Sequence, residues 1–492
     1  MKTVAEQAVR KERPIRVAQF GEGNFLRAFA DWMVDIANEK GLFDGDVAVI
    51  KPIAAGNFDR FTRQNGFYTV CLRGRQDGKV VDEPRVVSCV REFIDLYTDF
   101  AAFLALARQE QLQIVISNTT EAGIAYNGTD SFDDTPPASY PAKLTRFLYE
   151  RYSAFHGDPA KGLVILPVEL IEDNGKKLRS CVLSCAEDWK LEDGFFHWLK
   201  EGCVFASTLV DRIVTGYPAE AAEICEKLGY QDELLDVGEP FGLWVIESDR
   251  DISSVFPMDQ AGLPVIFTAD QRPYRERKVR ILNGAHTSTV LAGFLTGLDT
   301  VGECMADPLI RTFMEHAVMQ EIVPTVPLPR EEAEAFAASV FERFENPFVR
   351  HELLSISLNS VSKWKARVLP SLRDSLAANG KLPALLTFSF AALLAFYTGT
   401  LTADGYTGNR GGNSYPIRDG ADILAFFAEQ SAKAAAEYVP AVCARTDFWG
   451  MDLNEIPGFA DSVTSALDEI RQNGMKSAVS ALFEREGIAW NK

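Results

Sequence analysis

Histidine is scarce in this chain: there are five in 492 residues, and none stands near another in sequence. A zinc site needs imidazoles or thiolates grouped at short spacing, so a zinc hydrolase or zinc dehydrogenase is not expected. Cysteine points the same way. The eight cysteines are scattered in apolar settings such as Val70-Cys71-Leu72 and Cys203-Val204-Phe205, and the one close pair, Cys181-x3-Cys185, lacks a second pair to complete a site. They read as reduced core residues of a cytoplasmic protein. Basic charge is also short, with 50 Lys and Arg against 69 Asp and Glu and a net charge of −19. That excludes a sequence-independent nucleic-acid binder and a protein drawn to anionic membranes. An anionic small molecule would approach against the overall field, so a site for one must carry its own cations.

Long hydrophobic runs are missing too. The longest, Leu382 to Tyr397, is interrupted by Pro383, Thr387 and Ser389 and falls short of the roughly 20 residues of a membrane span. It reads as a buried helix. Met1 to Arg16 is charged and lacks the apolar core of a secretory signal.

What the chain does contain is an alternation of strand and helix patterns over its first half. Ile15 to Phe20 is an apolar strand running into Gly21-Glu22-Gly23, after which an amphipathic helix extends to about Lys40 and stops at Gly41. Strand, Gly-x-Gly turn and helix form the phosphate-binding opening of a dinucleotide fold, although Leu26 replaces the third glycine. The second strand, Val47 to Ile50, ends in Lys51-Pro52, where an NAD-selective fold offers an acid to the ribose; a lysine there leans towards a 2′-phosphate. Further strands are expected at Phe67 to Leu72, Val86 to Val90, Gln113 to Ser117, Gly162 to Pro167 and Val204 to Leu209, with helices near Asp95 to Gln109 and from Tyr140. Asn118 and Thr119, at the carboxyl end of a strand, are placed for nicotinamide-ribose contacts. From about Arg272 the texture turns helical, and Gly405 to Gly420 reads as a surface loop. The expected fold is α/β with a mainly parallel sheet in residues 1–268, followed by a mainly α-helical domain in residues 269–492.

Just after that change of texture lies Lys278-x4-Asn283-x2-His286. On an α-helix Asn283 would lie roughly 140° and His286 roughly 80° round from Lys278, so all three can face one cleft. An ammonium, an amide NH2 and a ring N–H are the donors that a carbonyl under reduction requires. A lysine that exchanges protons near neutral pH must titrate below its free value of about 10.4, and Arg275, Arg277 and Arg280 would crowd it with like charge.

Several of these stretches, in this order, resemble the polyol-specific long-chain dehydrogenases, the mannitol dehydrogenase and hexuronate reductase group. The resemblance rests on Gln19 to Phe29, Asn118 to Gly123, Ser139-Tyr140-Pro141-Ala142-Lys143-Leu144, Val210 to Pro218 and Lys278 to His286, and it covers nearly the whole chain. It implies an N-terminal Rossmann-type domain and a C-terminal helical domain. It implies NAD as cofactor and a small hexuronate or hexonate as substrate; the charge already speaks against a nucleic acid or membrane partner, and the sequence leaves open a monomer or small homo-oligomer. By resemblance Lys278 is the general acid and base, and Asn283 and His286 hold the reacting oxygen. Asn174, Asp211 and Lys363 are further substrate residues on the same basis. The run Val17-Ala18-Gln19-Phe20-Gly21-Glu22-Gly23-Asn24-Phe25-Leu26-Arg27-Ala28 matches the nucleotide loop. Candidate cations for a substrate carboxylate are Lys363, Lys365, Arg350 and Arg367. A rival spacing, Tyr274-x3-Lys278, is that of short-chain dehydrogenases, but Ala261 and Gly262 stand where that family needs a serine. A nucleotide-binding protein without turnover and a relative acting on another hexuronate or an uncharged polyol remain as alternatives.

Overall fold

The computed structural model describes residues 1–120, 122–402 and 405–490, so Glu121 of the Asn118 to Gly123 motif lies outside the described residues. The chain forms two compact units, one of Met1–Arg73 with Lys79–Gln271, the other of Arg272–Lys492 with Gly74–Gly78.

The first unit is built on a six-stranded sheet of β1 (Ile15–Phe20), β2 (Asp46–Lys51), β3 (Val90–Asp95), β4 (Ile114–Ser117), β5 (Val164–Pro167) and β6 (Val204–Phe205). Their order is β3-β2-β1-β4-β5-β6 and every pairing is parallel, the doubly wound dinucleotide-binding arrangement. Strands covered on both faces must be apolar on both, which is why they read as continuous hydrophobic runs. The alternation persists within them. Val17, Val49, Ile116 and Leu166 enter one core, while Ala18, Ile50, Val115 and Ile165 enter the core on the opposite face.

Two expected strands are drawn differently by the fold. Val86 to Val90 spans the end of one strand, Lys79–Val87, and the start of β3, with Ser88 and Cys89 between. Tyr68–Gln76 and Lys79–Val87 form a hairpin in a separate four-stranded sheet. Its turn is Asp77-Gly78, both at positive φ (52° and 73°), the signature of a tight hairpin. Val204 to Leu209 likewise divides into β6 and Ser207–Asp211, which pairs with Leu243–Glu247. The helix expected at Asp95 to Gln109 is shorter, Phe100–Ala107, because Asp99 caps it by accepting the N–H of Ala102.

The second unit is mainly helical. Gly284–Leu295 and Ala384–Phe396 are buried nearly all round, as apolar helices inside a bundle must be, and the latter is the helix expected from the Leu382 to Tyr397 run. Among the described residues no helix is long and apolar enough to cross a membrane. Gly405 to Gly420 is not a plain loop. It holds two strands, Gly405–Arg410 and Asn413–Pro416, of a three-stranded antiparallel sheet completed by Gly399–Thr402. Gly411 and Gly412, at φ 58° and 91°, make its tight turn, while Tyr406 and Tyr415 anchor it in the core.

Candidate functional site

In the first unit, β1 delivers the chain to Gly21 at φ 121°. A Cβ there would stand 3.3 Å from the Asn118 carbonyl oxygen and from Leu26 Cδ1, so the turn admits only glycine without a shift. A Cβ on Gly23 would meet nothing within 4 Å, which leaves open space in front of the helix that begins at Asn24. A helix N-terminus facing open space is where a phosphate is held.

A cavity of about 480 Å³ opens on this turn, lined by Gly21, Gly23, Asn118, Thr119, Tyr140 and Lys143 among others. Thr119 donates from its N–H and its hydroxyl to Glu169, both at 2.9 Å, and Ser117 Oγ donates to the same carboxylate at 3.2 Å. Glu169 thereby ties the end of β4 to the end of β5. Burial raises its carboxyl above the usual range, against the opposing pull of the Thr119 N–H. Lys143 is buried, donates to the Ala138 carbonyl, and is pushed down to about 8 by burial. Neither Glu169 nor Lys143 is a site candidate in the sequence, although Lys143 lies in the Ser139 to Leu144 stretch that carries the resemblance. The signal available for Lys143 was the Ser139 cap with Pro141 just inside the helix Tyr140–Ala154, which sets the lysine in the first turn at the sheet's carboxyl end.

Of the run Val17 to Ala28, only Gly21, Glu22 and Gly23 line the cavity. Val17, Ala18, Phe20, Leu26 and Ala28 are core; Gln19 donates to the Gly21 carbonyl and to Asp31; Phe25 stacks on Phe29; Arg27 reaches the Leu234 carbonyl and Asn24. Lys51 does not present a free cation. Its ammonium binds Asp95 Oδ2 at 2.9 Å and the carbonyls of Ala54 and Gly56, both at 3.0 Å.

Asn174 is wholly buried and its amide is taken up by backbone. Nδ2 donates to the carbonyls of Pro167, Glu169 and Thr208 at 3.0, 3.0 and 3.1 Å, and Oδ1 accepts from the N–H groups of Gly175 and Thr208 at 2.9 and 2.8 Å. In this arrangement it clamps strand ends and has no donor left for a ligand. Asp211 is buried at the end of its strand, where it pairs in register with Leu243.

In the second unit Lys278–Asn283 is a π-helical turn set between the α-helices Arg272–Arg277 and Gly284–Leu295. An i→i+5 closure adds one residue to a turn, so everything beyond it is rotated back by about 100° relative to an unbroken α-helix. Asn283 moves from roughly 140° to roughly 40° of Lys278, and His286 to roughly 20° on the other side. The π turn gathers the three groups onto one stripe more tightly than α geometry allows. Gly284 follows at once. A Cβ there would stand 3.3 Å from the Arg367 carbonyl oxygen, so its absence lets the helix Ser360–Arg367 approach.

That approach brings cations to His286. Arg367 Nη1 donates to Thr287 Oγ1 at 3.5 Å, and Thr287 donates to the Asn283 carbonyl at 2.8 Å. Lys363 Nζ donates to the Ile356 carbonyl at 2.8 Å. The His286 ring is buried, stacks on Phe344 and meets His351 edge-on. Its Nε2 is buried and has no hydrogen-bond partner among the described residues. Burial, then the charges of His351, Arg343, Arg367 and Lys363, hold the imidazole well below its ordinary value. Two histidines distant in sequence are thus neighbours in space. Arg343, Phe344 and His351 carried no sequence signal, because they come from the end of the helix Arg330–Phe344 and the segment after it.

The other expected cations are placed elsewhere. Arg350 is exposed and pairs with Glu352, and Lys365 lies against Gly450. The arginines beside Lys278 are engaged as well. Arg280 binds Asp374, the Thr325 carbonyl at 3.0 Å and Glu276 at 3.5 Å, while the Arg277 guanidinium lies 4.4 Å over the Phe336 ring. Arg280 is charge-compensated, which weakens the expected like-charge crowding of Lys278.

The Mannitol dehydrogenase Rossmann domain family matches residues 15–254, and the Mannitol dehydrogenase C-terminal domain family matches residues 270–471. Altronate oxidoreductases of Shigella flexneri and Escherichia coli strain K12 are each 45% identical over 477 residues, covering 95% of this chain and 97% of the relative. A substrate-free D-sorbitol dehydrogenase structure superposes with a TM-score of 0.77 at 20% identity, covering 95% of both chains. The Pseudomonas fluorescens mannitol 2-dehydrogenase complex with NAD and D-mannitol does so with a TM-score of 0.64 at 21% identity, covering 96% of this chain and 95% of its own. At those identities the structures speak to fold alone, but with both family matches and the full-length relatives, this chain belongs to the mannitol dehydrogenase family.

Proposed function

We propose that this chain is an NAD-dependent, metal-independent altronate oxidoreductase, a cytoplasmic enzyme of hexuronate catabolism that reversibly reduces D-tagaturonate to D-altronate. The observation that carries this reading is the 45% identity to altronate oxidoreductases along 95% of the chain. The cations around His286 support it, because a protein of net charge −19 must assemble its own positive field to hold a sugar acid.

Bound NADH supplies the hydride that reduces the carbonyl carbon. Lys278 Nζ hands a proton to the ketone oxygen as negative charge grows there, and takes it back in the oxidation. The Asn283 amide and the neutral His286 ring hold that oxygen in place. Arg343, Lys363 and Arg367 hold the substrate carboxylate. Gly21, Gly23 and the helix beginning at Asn24 seat the pyrophosphate. Asn174 acts here as a clamp on the strand ends rather than as a substrate contact.

The test is NADH oxidation measured in parallel with tagaturonate, fructuronate and fructose. Tagaturonate is expected to give the highest kcat/KM, by about a hundredfold or more over the uncharged ketose. Preference for fructuronate would reassign the chain to fructuronate/mannonate chemistry, and preference for fructose to a mannitol-type activity. NADH binding without oxidation of any substrate would mark a non-catalytic nucleotide-binding protein.

A further inference from the structure

Lys51 ends β2, the position from which dinucleotide folds read the adenosine ribose, and an exposed ammonium there would attract a 2′-phosphate. The structure gives this lysine another occupation. Its side chain is 2% exposed, and an ammonium has three N–H donors; the Asp95 carboxylate and the carbonyls of Ala54 and Gly56 take all three, at 2.9, 3.0 and 3.0 Å. Asp95 is the direct register partner of Lys51 across β2 and β3, and its other oxygen is held by the N–H of Tyr97 at 3.0 Å. Both partners are therefore fixed by backbone. Pro52 and Ile53, the next two residues, line the nucleotide cavity together with Glu22. The cavity wall beside Lys51 thus offers the acid of Glu22 while the Lys51 ammonium is buried and neutralised behind it, an arrangement to which a dianionic 2′-phosphate would be poorly matched.

Resting on the nucleotide reading above, we infer that the Lys51 and Asp95 pair sets the choice of NAD over NADP: Asp95 holds Lys51 against the 54–56 loop, and releasing it converts the position into a 2′-phosphate binder.

The test is equilibrium titration of NADH and NADPH, read by nicotinamide fluorescence, on the full chain and on Asp95→Asn, Lys51→Met and the double variant. In Asp95→Asn the ratio of the NADPH to the NADH dissociation constant should fall at least about tenfold, and in the double variant it should return to the parent value. Lys51→Met alone should leave the ratio within about twofold, because Lys51 touches neither cofactor in the parent. An unchanged ratio in folded Asp95→Asn overturns the inference. So does an equal fall in the double variant, which would assign the effect to Asp95's own charge. Should Asp95→Asn fail to fold, Lys51→Met decides: a shift in its ratio beyond about tenfold overturns the inference, and an unmoved ratio supports it. A parent protein that binds neither cofactor would instead remove the nucleotide reading itself.

Discussion

The imidazole of His286 lies flat on the ring of Phe344, with centroids 4.2 Å and planes 18° apart. His351 closes the edge at 5.1 Å, so the ring is shut off from water and ringed by positive charge. It stays neutral under conditions in which a free histidine ionises. The unfolded chain takes up a proton as pH falls through about 6.5, and the folded ring refuses it until much lower pH, so stability from this group is complete above about 6.5 and is lost below it. The same neutrality keeps one ring nitrogen a hydrogen-bond donor and the other an acceptor. The pH profile of kcat/KM should therefore lack an acid limb near 6.5, and Phe344→Ala, which admits water to the ring, should acquire one. An acid limb near 6.5 in the parent that disappears in His286→Asn would contradict this.

Lys278 is the proposed proton donor, and its removal should cut turnover at least about a hundredfold. NADH binding should change little, since the nucleotide cavity is built from first-unit residues. Stopped-flow single turnovers with NADH and tagaturonate separate the two effects. Parent-like turnover in Lys278→Ala would withdraw the assignment.

The first unit was largely legible in the sequence because buried parallel strands advertise themselves as apolar runs and the glycine turn follows the first of them. What the sequence hid were matters of partnership. Lys51 looked like a phosphate ligand because its partner, Asp95, lies one strand away. Arg343 and His351 carry no signal in the sequence because nothing local points them at His286. The Gly405 to Gly420 stretch reads as a loop because its glycines and asparagines mask an alternation whose large buried side chains are only Tyr406, Tyr415 and Ile417. The π turn at Lys278–Asn283 is the subtlest case, since helical periodicity read at 3.6 residues per turn carries no mark of one inserted residue.

That inserted residue can be removed. Deleting Val279 should restore α geometry and leave the angles as they are, since Asn283 then stands four and His286 seven α-helical residues from Lys278, at roughly 40° and at roughly 20° on the other side. Turnover should therefore stay within about tenfold of the parent, because the three groups keep their common stripe. Far-ultraviolet circular dichroism should remain that of the parent. A loss of about a hundredfold or more in a variant that keeps its helix would show that the π turn does more than set the angles between Lys278, Asn283 and His286.

The carboxylate assignment makes a prediction of a different kind. Arg343→Met and Arg367→Met should each raise KM for tagaturonate by about ten- to a hundredfold, as loss of a charge-assisted pair does, and should change the weak rate with fructose far less. The effect should shrink as salt is added, because screening already weakens the interaction in the parent. Equal losses with charged and uncharged ketoses would mean that these arginines support the fold around His286 and do not read the carboxylate.

Asp31 offers a test of stability that is independent of the reaction. It ends the π turn Arg27–Asp31 of the first helix, is 1% exposed, and accepts hydrogen bonds from Tyr68 Oη at 2.8 Å and Gln19 Nε2 at 3.3 Å. Burial dominates these and pushes its carboxyl up to about 7. The folded state therefore keeps a proton that the unfolded chain releases near pH 4, and stability from this group falls as pH rises from about 4 to about 7, then levels. Asp31→Asn removes the titration while keeping the size. An amide NH2 at the unpartnered Oδ1 position adds a cost of about 1 kcal/mol or more that does not vary with pH. The informative quantity is thus the change in the variant's stability relative to the parent between pH 4.5 and 7.5, expected to be a gain of up to about 3 kcal/mol. Other titrating groups cancel in that difference as long as they do not touch Asp31. Urea unfolding followed by tryptophan fluorescence includes the right unit, since Trp244 packs on Phe29 of the same helix with centroids 5.2 Å apart, and an Asp31 effect is read from the transition that Trp244 follows. A stability difference equal at both pH values would show that Asp31 is already ionised at pH 4.5 in the folded chain, compensated by Arg27 more fully than its burial implies.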